Sequence, residues 1–329
     1  MKDSNKQIYY VSPVKWTVSY FFKYLFVLIL EAFYKVLFLF PKKQSRKTHY
    51  ISICAIFKNE GKYLKEWIEY HLLVGVDHFY LYNNNSTDNY QEVLQPYIDQ
   101  GVVTLTEWPE VPGQITAYKH FYETFRNETN WVSFLDLDEF ICPKKETKIA
   151  DWLEKWKRYP VICIYWKMFG TSGHLKDDDG SLLIERFTNS WDKLYGRGKL
   201  LYNTDYDLVF FKVDMMHYFL VYYKGIKVPP INTYGHFVFA GINRTRNIDH
   251  DIQINHYWSK SYENYVSKHK KGSACWGKSW KTFGRFLEVE QRNISSDHAI
   301  WRFLIQLKLK MNGEYPESDD DGNDAGHGL

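Results

Sequence analysis

Three carboxylates stand together where an apolar run ends, in Trp131-Val-Ser-Phe-Leu-Asp-Leu-Asp-Glu-Phe140: Asp136, Asp138 and Glu139. Alternation along a strand points Asp136 and Asp138 to the same side, so two hard oxygen ligands would share one divalent cation. Such a pair suits chemistry on a phosphorylated substrate. An isolated Asp-x-Asp is a common tripeptide, and a solvated turn after a buried strand is its usual meaning. The elements around it therefore decide what it does.

The strand that carries the cluster is one of a series. Tyr50-Ile-Ser-Ile-Cys-Ala-Ile-Phe57 is a continuous apolar run, the pattern of a central parallel strand, and it ends in Lys58-Asn59-Glu60-Gly61. Residues 63–73 read as an amphipathic helix, and 77–82 as a second strand running into the turn-forming Asn83-Asn-Asn-Ser-Thr-Asp88. A helix over 89–99, a strand over 102–107 and a helix over 115–126 lead to the acidic strand. Strands alternating with helices predict an α/β fold with a mostly parallel, doubly wound sheet, in which ligands bind at the carboxyl ends of the strands. That rule brings three loops together: Phe57-Lys58-Asn59-Glu60, the 83–88 loop, and the 136–139 turn. The first polar loop, Asp88 and the acidic pair would hold a base, a ribose and a metal-bound diphosphate. Neither a Gly-x-Gly-x-x-Gly nor a Walker-type loop is present to cradle phosphate by backbone, so a cation would have to neutralise it.

Length and composition bound the rest. The 329 residues suit one large α/β domain with accessory segments, and 45% hydrophobic content is ample for its core. A formal charge of +3 is too small to call for a polyanionic partner, so no nucleic acid is expected. Cys54, Cys142, Cys163 and Cys275 are scattered, which fits neither a zinc site nor a disulfide framework. The sequons at Asn84 and Asn85 fall in the 83–88 loop, where a glycan would block the crevice; a reducing, cytosol-facing protein is the reading.

Residues 16–40 are nearly all aromatic or aliphatic, interrupted by Lys23, Glu31 and Lys35. At about 100° per residue those charges fall within a sector of roughly 120°, leaving a broad apolar face. A helix lying in a membrane interface needs this, and Lys42, Lys43, Arg46 and Lys47 follow it as partners for an anionic leaflet. The expected location is the cytoplasmic face of an inner membrane, peripheral or single-span. Three segments result: a membrane-associating helix with basic linker over 1–48, the catalytic domain over 49–312, and an acidic, disordered tail over 313–329.

Five ordered motifs resemble the nucleotide-sugar-dependent glycosyltransferases of the GT-A fold, specifically the bacterial family-two-like proteins related to glycosyltransferase family ninety-two. They are Ala55-Ile-Phe-Lys-Asn-Glu60 with Glu66-Trp-Ile-Glu-Tyr-His71, Phe79-Tyr-Leu-Tyr-Asn-Asn-Asn-Ser-Thr-Asp88, the acidic strand, Phe169-Gly-Thr-Ser-Gly-His174, and His256-Tyr-Trp-Ser-Lys-Ser261. The resemblance implies a Rossmann-like GT-A sheet flanked by helices, and sugar transfer from a nucleoside diphosphate donor with Mn²⁺ or Mg²⁺. It implies Asp136, Asp138 and His256 as metal ligands, Asn59 and Glu60 near the base, and Asp88 near base or ribose. Phe57 and Asn85 belong to the same donor loops, Lys58 would reach a phosphate, and Lys260, with Lys268 and Lys271-Gly272, would meet the diphosphate under a closing lid. His217 and His236 are alternatives to His256.

Downstream, Trp166 and Phe169 would stack on a pyranose and His174 would contact donor or acceptor. An inverting transfer needs a base, for which Glu185 is the candidate. The run Lys176-Asp-Asp-Asp-Gly180 reads as a solvated hairpin tip. The function expected is a hexosyltransferase using a UDP-linked sugar and a glycan or lipid-linked acceptor in bacterial surface polysaccharide or lipopolysaccharide synthesis. The alternatives are a non-catalytic carbohydrate-binding or scaffold protein on the same fold, and a nucleotidyltransferase, which would carry a glycine-rich basic loop absent here.

Overall fold

The computed structural model describes residues 18–177, 180–209, 217–239, 250–271 and 282–316. After α1 (Val18–Leu37), the chain runs through β1 (His49–Phe57), α2 (Gly61–Leu73), β2 (His78–Asn83), α3 (Tyr90–Asp99), β3 (Val103–Glu107), α4 (Gln114–Thr124) and β4 (Thr129–Phe134). Strands and helices alternate as the sequence predicts. β1 is buried from Ile51 to its end, as a strand covered on both faces must be. It pairs in parallel with β2 on one side and β4 on the other, and β3 adds in parallel beyond β2. The order β3-β2-β1-β4 reverses direction at β1. The carboxyl ends of β1 and β4 therefore flank a topological switch point, where such sheets take ligands.

The second half is less regular. It comprises β5 (Glu139–Pro143), α5 (Ile149–Leu153), β6 (Val161–Met168), α6 (Leu183–Arg186), β7 (Asn189–Ser190), β8 (Gly198–Asn203), β9 (Asp207–Leu208), β10 (Val221–Tyr223), β11 (Ile226–Val228), β12 (Ile231–Asn232) and β13 (Ile252–His256). β8 lies antiparallel between β4 and β6, and β13 runs parallel to β6 and antiparallel to β5. With β12 alongside β6, only β5 and β8 oppose the other strands of the main sheet, which is mostly parallel. Gly198 makes the β6–β8 approach possible, since a Cβ there would stand 1.8 Å from the Ile164 carbonyl oxygen. β9, β10 and β11 form a small antiparallel sheet of their own.

The chain then passes α7 (Tyr262–Lys271), α8 (Phe283–Glu290) and β14 (Ser295–Ser296), which pairs with β7. A 3₁₀ turn over Ala299–Phe303 leads into α9 (Leu304–Asn312), so the predicted terminal helix begins in tighter form. Gly313, at φ +73°, stops it, its N–H donating to the Lys310 carbonyl. Of the acidic tail, residues 317–329 lie outside the described residues, as does Cys275; Cys54, Cys142 and Cys163 are buried free thiols.

α1 departs from expectation in how it sits. Within the sector that carries the charges, Glu31 is turned onto the domain, where Oε1 meets His236 Nδ1 at 3.0 Å and Lys35 at 2.8 Å. Tyr34 donates to the Lys227 carbonyl and Phe38 stacks on Tyr223. Among the described residues no helix is long and apolar enough to cross a membrane.

Candidate active site

The acidic turn is built from beneath. Glu139 N donates to the Asp136 carbonyl at 3.0 Å, while the Glu139 carboxylate accepts from Asp136 N at the same distance. Glu139 thus ties the turn shut and is wholly buried, which raises its pKa well above the carboxylate range. Four residues of the Glu66-Trp-Ile-Glu-Tyr-His71 motif brace this region. Trp67 Nε1 donates to the Glu139 carbonyl at 2.8 Å, Tyr70 OH to the Ile141 carbonyl at 3.0 Å, and Ile141 N donates to His71 Nε2. Glu66 accepts the N–H groups of Leu183 and Ile184. The motif is scaffold for the site.

Lys199, from β8, reaches the cluster from the strand next to β4. Its ammonium lies 2.9 Å from Asp136 and 3.4 Å from Glu139 and is almost fully buried. Burial pushes the Asp136 carboxyl up, but Lys199 more than offsets this and holds it below its ordinary value. Gln114 donates to the other Asp136 oxygen at 3.1 Å. Sequence reasoning missed Lys199, although a lysine within the apolar run Lys199-Leu-Leu-Tyr202 needs a buried counter-ion and signals one.

His256 ends β13 directly across from Glu139 in the antiparallel pair. This register brings Nε2 to 3.6 Å from Asp138 Oδ1, and burial lowers the imidazole pKa to about 4. The ring is therefore neutral at physiological pH, with a lone pair to offer. Octahedral ligands at about 2.1 Å from Mg²⁺ stand about 3.0 Å apart, so a small inward movement would let Asp138 and His256 share one ion. His256 Nδ1 and Glu139 Oε1, both buried without a hydrogen bond, face each other at 3.9 Å. A neutral imidazole beside carboxylates is a donor set that fits a hard or borderline divalent ion. The expected trio does not form: among the described residues no three acidic, histidine or cysteine side chains converge to hold a metal. Asp136 is engaged by Lys199 and Gln114 instead, leaving a pair of candidate ligands.

The donor loops lie over the same crevice. Asn59 and Asn85 both take left-handed backbone, at φ 52° and 55°, and so does Lys260 at φ 52°. Non-glycine residues in that region concentrate at functional sites. Asn59 N donates to Ser86 Oγ at 2.9 Å and Thr87 N to Asn59 Oδ1 at 2.7 Å, which locks the first two loops together. Glu60 meets Lys260 Nζ at 2.9 Å, and the same ammonium lies 3.3 Å from the Tyr63 ring centroid. Burial raises the Glu60 carboxyl, but Lys260 and Lys268 outweigh it and the group stays ionised. Lys268 closes on Asp138 from α7. The two lysines thus bind one side of the crevice each.

Other predicted residues have different work. The Phe57 ring is core, edge-on to Tyr90, and Lys58 is exposed. Asp88 caps α2, accepting from Gly61 N at 2.7 Å, and Asn85 donates to the Pro109 carbonyl. Glu185 is paired with Lys308 at 2.6 Å rather than turned to the acidic turn. His174 sets its ring edge on Phe187, and its carbonyl accepts from Tyr262 N. Trp166 is buried against Tyr195, His217 and His256, and Phe169 against Tyr257, so neither offers a face to a sugar. His217 has Nδ1 on the Gly198 carbonyl, and His236 serves Glu31. Asp177 is no solvated tip: it binds Lys62, Arg186 and the Tyr63 hydroxyl. Asp178, Asp179 and Gly272 lie outside the described residues. One open cavity of about 650 Å³ is lined by Asp177, Leu175 and the Tyr262–Ser267 side of α7, without a residue of the acidic turn.

A mostly parallel α/β sheet with a switch point between β1 and β4, polar loops on one lip and carboxylates with a neutral histidine on the other, sets a candidate active site where such folds take their ligands. The model of glycosyltransferase family 92 matches residues 47–296, and the chain belongs to that family. Similar proteins include family 92 members from Ricinus communis, 36% identical over 30% of this chain and 18% of theirs, and Oryza sativa, 32% identical over 42% of this chain and 24% of theirs. The matched stretches thus span less than a quarter of the curated relatives' length. These relatives are plant proteins, where a bacterial setting was expected. Among solved structures, Staphylococcus aureus TarS gives a TM-score of 0.32 at 14% identity, covering 47% of each chain. The mannosyltransferase PcManGT from Pyrobaculum calidifontis, in complex with GDP-Man and Mn²⁺, gives 0.29 at 15%, covering 42% of each. Likeness this slight carries no argument about donor or metal.

Proposed function

We propose that this chain is a metal-dependent glycosyltransferase that moves a hexose from a UDP-linked donor to a glycan or lipid-linked acceptor. The observation that carries the reading is the convergence at one switch point of Glu60 after β1, Asp136 and Asp138 after β4, and His256 at the end of β13. Asp138 and His256 would hold Mn²⁺ or Mg²⁺, which when bound supplies Lewis-acid stabilisation of a departing diphosphate. Asp136, kept ionised by Lys199, is left free of that duty to accept a ribose hydroxyl. Glu60 and Asn59 present a carboxylate and an amide to the base, and Lys260 and Lys268 stand where diphosphate charge would be met. Such preorganised charges act on the charge that develops in the transition state.

Calorimetric titration of the full chain with nucleoside diphosphates and their sugars, with and without Mn²⁺, tests this. The expected result is UDP binding that requires Mn²⁺. A folded protein that binds no nucleotide under either condition would favour the non-catalytic carbohydrate-binding reading.

A further inference from the structure

We infer that α1 is an in-plane membrane-docking helix whose outer face enters an anionic lipid surface while its inner face stays clamped to the catalytic domain. This stands apart from the catalytic reading. At about 100° per residue, Val18, Phe22, Leu25, Ile29, Phe33 and Val36 fall within a sector of about 80°. All six are exposed, Val18, Phe22, Ile29 and Val36 by more than 60%. Diametrically opposite, Val27, Glu31, Tyr34 and Phe38 are buried against the domain. A helix apolar on both faces and covered on only one has an unmet partner.

The chemistry beside that face selects lipid. No acidic residue occurs between Glu31 and the start of β1, whereas Lys42, Lys43 and Arg46 follow the helix on the exposed linker. Lys224 and Lys227, also exposed, come from the β10–β11 hairpin whose Lys227 carbonyl holds Tyr34. An apolar stripe with cations on the linker after it and on the hairpin packed against its inner side matches headgroups that are anionic over acyl chains. A second copy would set like charges against each other.

Spanning is disfavoured by the inner face. The helix is about 30 Å long, enough for a bilayer core. To cross, it would have to strip Glu31 from His236, Tyr34 from Lys227 and Phe38 from Tyr223. Lying flat, it keeps all three, and the domain takes a fixed posture on the surface.

Flotation of the full chain with phosphatidylcholine vesicles, with and without phosphatidylglycerol, tests the inference. The chain should float with the anionic vesicles, and Ile29→Glu with Phe33→Glu should cut that by about tenfold or more while leaving the melting temperature unchanged. Cysteines placed by Phe22→Cys and by Val36→Cys in a Cys275→Ser background, where Cys54, Cys142 and Cys163 are buried, carry a thiol-linked fluorophore at points about 21 Å apart along the helix, and the two should be quenched equally by a shallow lipid-borne quencher. The inference is overturned if the wild type stays soluble, or if the doubly substituted chain floats as well. It is also overturned if the two fluorophores report different depths, or if the Ile29→Glu and Phe33→Glu substitutions convert a soluble dimer to monomer.

Discussion

Trp67 Nε1 donates to the Glu139 carbonyl at 2.8 Å, so a helix that contributes no ligand holds the turn that presents Asp136 and Asp138. Trp67→Phe keeps an aromatic ring but leaves that carbonyl buried and unpaired, at a cost of about 1–3 kcal/mol. Urea unfolding should register the loss. Donor affinity should weaken with it, because the turn loses one of its braces.

Asp138→Asn should remove donor turnover by a factor on the order of a hundred or more, since a neutral amide is a poor ligand for a hard cation. Stability should fall only modestly, because the asparagine oxygen still accepts from the Lys268 ammonium and Glu60 still faces that charge. Steady-state donor hydrolysis beside a thermal melt separates the two effects. Full turnover in this variant would end the case for Asp138 as a ligand.

Lys199→Met tests the charge beneath the site. It leaves the ionised Asp136 carboxylate beside Glu139 without its cation, and since Asp136 is partly screened by solvent the cost is on the order of 1–3 kcal/mol. Adding Asp136→Asn removes the orphaned charge and should recover part of the loss. If chemical denaturation finds the double variant no more stable than Lys199→Met, the ion pair is not what holds the turn.

What could be read in the sequence follows the range of the interactions. β1, β2 and β4 with their helices were legible because each strand is a run of consecutive buried residues punctuated by turn chemistry, as in Ile51 to Phe57 before Lys58-Asn59-Glu60. The acidic turn was legible for the same reason. Lys199 on Asp136 was not, because the contact depends on the antiparallel insertion of β8 between β4 and β6, which Gly198 permits and no local pattern announces. Glu185 was chosen by its order along the chain, and order does not record that α9 supplies Lys308 to neutralise it. The polar sector of α1 was visible, but its direction was set by His236, some two hundred residues downstream.

His71 gives the fold a pH dependence. Its Nδ1 lies 2.8 Å from the Trp67 carbonyl and its Nε2 accepts from Ile141 N, so only the neutral tautomer satisfies both. Burial lowers its pKa from 6.5 to about 3. Between those values the unfolded chain binds the extra proton and the folded chain does not, so stability falls as pH drops below about 6.5. By pH 5 the loss is about 2 kcal/mol from this residue. His71→Gln should be less stable at pH 7 yet show a shallower decline toward pH 5, which denaturation curves at the two values would reveal.

Lys268 and a divalent ion cannot share Asp138 without bringing two positive centres together. Asp138 and Glu60 keep the ammonium charged despite its burial, so Lys268 competes with the ion in the absence of donor. Lys268→Ala should therefore tighten Mn²⁺ binding to the nucleotide-free protein, by about tenfold for the removal of one nearby charge in a screened crevice. The same substitution should raise the donor KM, because the diphosphate would lose a cation that the displaced lysine otherwise supplies. Opposite signs in the two measurements are the signature of exchange between Asp138 and the diphosphate. Parallel losses in both would mean that Lys268 merely holds α7 in place.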